Sequence, residues 1–257
     1  MNSTPENNNF SVSVKADRIA FGDTVLFEQI EFDLPAGEWT CLLGPSGVGK
    51  TTLLRLIASL VPDVENVVIK CSDGRSLKAR AAYMAQQDLL MPWLSVLDNV
   101  MLGARLRSEQ PEKTRAFDLL ARVGLTANAH DLPAKLSGGM RQRTALARTL
   151  MEDRPVVLMD EPFSALDAIT RIRLQDMAAE LLNDRTVLLV THDPLEALRL
   201  GDRIHVLAGR PVTLDEPLIP VGVRPRDLHD PAVLAGQADL LERLSAANSI
   251  LLGETAA

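Results

Sequence analysis

The stretch GPSGVGKT, Gly44 to Thr51, constrains this chain more than any other feature. It matches the pattern G-x-x-x-x-G-K-[ST], with the apolar run TCLL before it and the leucine-rich segment TLLRLI after it. That order reads as strand, tight loop, helix. Gly44, Gly47 and Gly49 let successive backbone amides curl around an anion with no Cβ in the way. Lys50 adds a point charge suited to β- and γ-phosphates, and the Thr51 hydroxyl is placed to ligate Mg²⁺. The helix that follows turns its positive dipole end toward the same phosphates.

A loop of this kind needs a sheet to carry it. TCLLG, VVLMD and TVLLVTH are short, continuously apolar runs, the pattern of strands buried on both faces of a parallel sheet covered by helices. The expected fold is therefore α/β. Helical spacing appears at Leu53, Leu54, Leu56, Ile57 and Leu60, and again at Phe117, Leu120, Ala121 and Val123, closed by Gly124. Near the start, SVSVKADRIAF and IEFDL alternate as half-exposed antiparallel strands do, and Asn66 to Lys70 adds another short strand. Residues 88 to 151 read as mostly helical. At the far end Asp230 and Pro231 form an N-cap and first-turn pair, and Leu234, Ala238 and Leu241 are expected to pack on the chain's own core. The expected organisation is a domain over 10–220, with a helical subdomain at about 88–151, and a C-terminal helical tail over 221–257.

Composition excludes several classes of function. A chain of 257 residues, 46% hydrophobic, can bury a sizeable core. No apolar run is long enough to cross a bilayer, and the richest, LLMPWLSVLDNVML, is interrupted by Pro92, Ser95, Asp98 and Asn99. The opening MNSTPENNNF lacks the basic start and apolar core of a signal peptide, so a cytoplasmic location is expected and any membrane span belongs to another chain. Of only two cysteines, Cys41 lies within the apolar WTCLL and reads as a buried thiol. A net charge of −7 argues against a nucleic-acid partner.

Two further segments supply chemistry. VVLMDEP puts Asp160 at the end of a buried strand, where a carboxylate can hold Mg²⁺, with Glu161 beside it to polarise a water. With the glycine loop, this reads as an Mg²⁺-dependent nucleotide hydrolase. In LSGGMRQRTALARTL, Ser137 precedes two glycines at a helix start. It is either a plain N-cap or part of a second anion site.

With these segments in order, the chain resembles the ATP-binding cassette (ABC) ATPases over nearly its whole length. GPSGVGKT looks like their Walker A loop, YMAQQD their Q-loop, LSGGM their signature, VVLMDEP their Walker B, SALD their D-loop and THD their switch histidine. The resemblance implies a P-loop NTPase (RecA-like) core with an N-terminal antiparallel β subdomain and an inserted α-helical subdomain. It also implies ATP and Mg²⁺ as cofactors. It assigns nucleotide contacts to Gly44, Pro45, Ser46, Gly47, Val48, Gly49, Lys50, Thr51 and Thr52, to Gln86, to Ser137, Gly138, Gly139 and Met140, and to Asp167. Phe21 falls where the family stacks an aromatic on adenine. Thr51, Gln86 and Asp160 would serve the metal, with Glu161 as general base, Lys50 and His192 at the γ-phosphate, and Gln86 sensing both metal and transport partner. Met140 stands where the commonest signature has glutamine, a substitution usual in one importer branch. One copy of each motif implies a head-to-tail homodimer, each ATP lying between one subunit's Walker A and the other's signature.

The run PWLSVLDNV, with LSGGMRQR and DEPFSALDAITR, is most similar to the nitrate, sulfonate, taurine and pyrimidine-precursor importer branch. That implies two permease subunits, an extracytoplasmic solute-binding protein and a peripheral place on the cytoplasmic face of the inner membrane. Within the branch, DAITRIRLQ and LVTHDPLEALRLGDRIHVLAGRP resemble subunits assigned to hydroxymethylpyrimidine, with taurine or another sulfonate, or nitrate, as alternatives. Trp93 lies either in the groove that receives a permease helix or within the helical subdomain. A soluble P-loop enzyme of another class remains the contrasting reading. No N-K-x-D or T-K-x-D guanine reader is present, and a small-molecule kinase would use no LSGG.

Overall fold

The three continuously apolar runs become three strands in which every residue is buried: β3 (Trp39–Leu43), β6 (Val156–Asp160) and β7 (Thr186–Thr191). The computed structural model describes residues 9–21, 24–61 and 66–252. It divides into two compact units, the first comprising Met1–Ala81, Pro155–Asp160 and Leu182–Ala257, the second Ala82–Arg154 and Glu161–Leu181.

In the first unit, β1 (Val12–Phe21), β2 (Thr24–Leu34) and β4 (Val67–Cys71) form an antiparallel sheet in the order β2-β1-β4. Val12, Val14 and Ala16 face the core; after them the buried parity changes to Ile19, and on β2 it passes from Phe27 to Ile30, Phe32 and Leu34. Gln29, with φ of 52°, sits at that switch, where an irregular residue moves the following side chains to the other face. A second sheet runs β6-β7-β3 and continues through β8 (Arg203–Ala208) to the short β9 (Thr213–Leu214). Its parallel register sets Leu43 beside Thr191, and Asp160 beside Val190. The carboxyl ends of β3, β6 and β7 thus form one edge, where open α/β sheets carry their ligands.

Helices α1 (Lys50–Ile57), α7 (Pro194–Leu200) and α8 (Pro231–Leu252) complete this unit. Asp230 caps α8 as expected, its carboxylate accepting from the Ala232 amide. The buried face is not the expected one. Leu234 and Leu241 are 52% and 50% exposed, while Val233, Leu240 and Ala247 are buried. Leucines and alanines fall on more than one side of the helix, so sequence spacing offers two stripes. Close approach of the Leu198 side chain to Gly236 on the neighbouring helix decides between them.

In the second unit, β5 (Ala81–Met84) leads into α2 (Val96–Val100), α3 (Leu102–Leu106), α4 (Lys113–Arg122), α5 (Gly138–Met151) and α6 (Ala168–Leu181). Helices α2 and α4 pack on α5. Gly124 ends the α4 segment with φ of 68°, as its place in the sequence suggests, but Ala121 is exposed and the buried face is Ala116, Leu119, Leu120 and Val123. Asn99 is fully buried. Its side-chain amide donates to the carbonyls of Met91, Leu94 and Ser95, and its oxygen accepts from the Met91 amide. These bonds fold the 91–95 loop and leave Trp93 at its tip, 72% exposed, so Trp93 is not part of the helical unit's core.

Candidate functional site

In the first unit the chain leaves β3 at the buried Gly44 and re-enters regular structure at Lys50. Gly47 and Gly49 hold φ of 82° and 109°, which side chains rarely tolerate. Phe27 backs the loop; a Cβ built on Gly49 would lie 2.8 Å from its Cζ. Gly49 is also the N-cap of α1 and provides no side-chain cap. The first-turn amides of that helix therefore point into the loop as donors for an anion. Val48 is buried under the loop, Pro45 and Thr52 are half-buried, and Ser46 lies at its exposed rim. Lys50 is buried along its stem and its Nζ donates to the carbonyls of Gly44 (2.7 Å) and Pro45 (3.0 Å), which holds the ammonium at the loop.

One residue further on, the Thr51 hydroxyl donates to Asp160 Oδ1 at 3.1 Å, and Asp160 is only 1% exposed. A hydroxyl and a carboxylate at this distance suit a hard cation such as Mg²⁺. That ion prefers one or two protein oxygens, completed by phosphate and water, over an all-protein cage. Among the described residues, no group of three or more His, Cys, Asp or Glu converges on one point. The donor set thus fits a polyphosphate with its magnesium. His192 follows β7 on the exposed side, next to Asp193, which caps α7 by accepting from the amides of Leu195 and Glu196. Phe21 ends β1, and its side chain lies outside the described residues.

The second unit gathers the remaining residues. Gln86 Nε2 donates to Glu161 Oε2 at 3.1 Å across 75 positions of sequence. Glu161 has φ of 46°, a left-handed backbone that costs energy for any residue bearing a Cβ. Ser164 holds that turn, donating to the Glu161 carbonyl from both its amide (3.3 Å) and its hydroxyl (3.0 Å). Ser137 caps α5, its Oγ accepting from the Met140 amide at 3.2 Å. The cap and the second-anion-site readings of Ser137 are thus compatible, because a cap presents the next amides outward. Gly138 is exposed, and a Cβ on Gly139 would meet only ordinary contacts with Leu166 and Ala165. Asp167 caps α6; the Thr170 amide, then its hydroxyl, holds the Asp167 carboxyl below its usual range.

Each unit therefore brings together its own share: Lys50 with the loop, Thr51 with Asp160, and Gln86 with Glu161. Sequence reading missed Phe27, Ser164, Asp88 and Arg141. Only the proximity of Asp88 to Gln86, and of Arg141 to Ser137, offered a signal.

The family profile described as "ABC transporter" matches residues 27–164. An uncharacterized ABC transporter ATP-binding protein from Haemophilus influenzae is 47% identical over 234 residues, covering 88% of this chain and 95% of that protein. Aliphatic sulfonates import ATP-binding protein SsuB 1 from Rhodococcus jostii is 45% identical over 233 residues, covering 90% and 92%. The solved dimeric ATP-binding cassette MJ0796, in a post-hydrolysis state bound to ADP and Pi, superposes with a TM-score of 0.72 at 26% identity, covering 82% of this chain and all of that one.

Proposed function

Because the chain belongs to the ABC transporter family of ATP-binding subunits, we propose that it energises uptake of a small solute through a separate membrane permease. It is an ATPase with the α/β P-loop NTPase fold of that family, and ATP and Mg²⁺ are its cofactors. The observation that carries the reading is the Gly44–Thr51 loop, with the Thr51 hydroxyl set on Asp160.

Magnesium, when bound, supplies charge neutralisation to the phosphates. Thr51 and Asp160 would hold it, and Gln86 would join them as metal sensor. Lys50 and the first-turn amides of α1 would bind the phosphate oxygens. Glu161 would take a proton from the attacking water at its carboxylate, while His192 would contact the γ-phosphate. Ser137, Gly138, Gly139 and Met140 would serve the nucleotide of a second copy, with Asp167 at the same junction; Phe21 would stack on adenine. The working form is proposed as a homodimer, as in the dimeric MJ0796 cassette. It would engage two permease subunits, with the exposed Trp93 on the permease side, and a solute-binding protein beyond them.

We place the dimer at the cytoplasmic face of the inner membrane. Among the described residues, no helix is long and apolar enough to cross it. The division into an ATPase domain over 10–220, a helical subdomain at about 88–151 and a tail over 221–257 is part of the same proposal, supported by the helical second unit and by α8.

For the cargo, the relatives named for aliphatic sulfonate import, at 45% and 41% identity, favour an alkanesulfonate over the hydroxymethylpyrimidine expected from sequence. The test is uptake of labelled alkanesulfonate, taurine, nitrate and hydroxymethylpyrimidine in cells carrying the chain or its Lys50→Ala variant. Loss of sulfonate uptake alone supports the reading. Loss of pyrimidine uptake alone moves the cargo, and no loss of any of them overturns the importer assignment.

A further inference from the structure

We infer that Arg141 is a positioning residue, which clamps the loop carrying Gln86 to the helix that Ser137 caps. The inference rests on the ATPase reading above. The Asp88 carboxylate is the hub of the clamp. Its Oδ1 accepts from the Leu90 amide at 3.2 Å and shapes its own loop, and its Oδ2 accepts from Arg141 Nε at 3.0 Å. The other arm of the Arg141 guanidinium donates to the Leu136 carbonyl at 2.9 Å, and the Arg141 amide donates to the Ser137 carbonyl at 3.0 Å. One residue thus brackets Ser137 from both sides while gripping a carboxylate two positions from Gln86. Gln86 in turn touches Glu161. A continuous bonded path joins the proposed general base to the proposed signature serine, all of it within the second unit.

Arg148 divides the labour. It donates to the backbone carbonyls of Asp88 (2.7 Å) and Leu89 (2.9 Å), contacts that do not depend on which side chain stands at 88. Arg148 therefore keeps the loop folded, and the Asp88–Arg141 pair sets its orientation. The pair is partly shielded, with side chains 30% and 38% exposed, so it adds little to stability but fixes an angle. Lysine would not replace Arg141, because only the guanidinium presents two donors in a rigid fork.

The test uses the full-length chain as wild type, Arg141→Met, Asp88→Asn and the double variant. Measurements are kcat and KM for ATP, thermal midpoint, and ATP-driven self-association by sedimentation. Each single change is expected to lower kcat by about threefold to tenfold, the net scale of one ordinary hydrogen bond, because solvent screens this partly exposed pair. The double variant should fall no further, because both changes break one contact. KM, set by the Gly44–Thr51 loop, and the thermal midpoint should stay near wild type, while self-association weakens. Arg141→Lys should recover only part of kcat. An unchanged kcat in Arg141→Met, multiplying losses in the double variant, or a kcat loss that merely follows a fallen thermal midpoint would overturn the inference. A wild-type chain without turnover, or a Lys50→Ala chain with normal turnover, would instead remove the ATPase reading itself.

Discussion

Gly49→Ala isolates what the glycine loop demands of the backbone. At Gly49 the chain has φ of 109° and ψ of 6°, and a new Cβ would meet Phe27 at 2.8 Å (Cζ) and 3.3 Å (Cε1). Two costs follow. Holding a side-chain-bearing residue in that backbone region costs about 1–3 kcal/mol. Overpacking against the fully buried Phe27 ring on β2 costs about 1–3 kcal/mol more. The sum, about 2–6 kcal/mol, is a large part of the roughly 5–15 kcal/mol that stabilises a typical domain. Urea unfolding of the full chain reads it directly. The Phe27→Leu background separates the two costs, because leucine carries no atoms where the ring's Cζ and Cε1 lie. There the change should lose its packing cost and keep only the backbone part. An equal loss in both backgrounds refutes the contact with Phe27. A loss below about 1 kcal/mol in both refutes the backbone argument as well.

Other outcomes follow from the same geometry. Glu161→Gln should leave ATP binding intact and slow turnover by about 10²–10⁴, the usual worth of a general base, and near-normal turnover would remove Glu161 from that role. Buried Arg226 donates to the carbonyls of Leu198, Pro220, Gly201 and Val221, and Arg226→Ala should cost about 3–5 kcal/mol in urea unfolding; a loss under 1 kcal/mol would contradict this count. The Ser95 hydroxyl, and then Arg105, hold the Asp98 carboxyl below its ordinary range at the cap of α2. A depressed carboxyl adds stability above its unfolded value, near about 3.9, and loses it as pH falls through the folded value. The urea midpoints of wild type and Asp98→Asn should therefore differ at neutral pH and converge below about pH 4, whereas a constant gap would exclude this titration.

Much of the fold and half of the candidate site were legible from local pattern. TCLL, VVLMD and TVLLVT are apolar in their interiors, with threonine or aspartate only at their ends, so a strand covered on both faces suits them. GPSGVGK carries glycines where the backbone must turn left-handed, and Ser137 and Asp230 are capping residues at true helix starts. The site's cross-contacts were not legible. Gln86 reaches Glu161 across 75 positions, and Asp88 reaches Arg141 across 53, distances over which periodicity carries no information.

The sequence by itself determined the three buried central strands, the glycine loop between β3 and α1 and the helix caps at Ser137 and Asp230, because these follow from backbone stereochemistry and from the cost of leaving apolar side chains in water. Only the tertiary structure decided which stripe of α8 is buried, where Trp93 points and which carboxylate Arg141 grips. Each of these is a choice between locally equivalent options, and it is settled by what the rest of the chain places opposite.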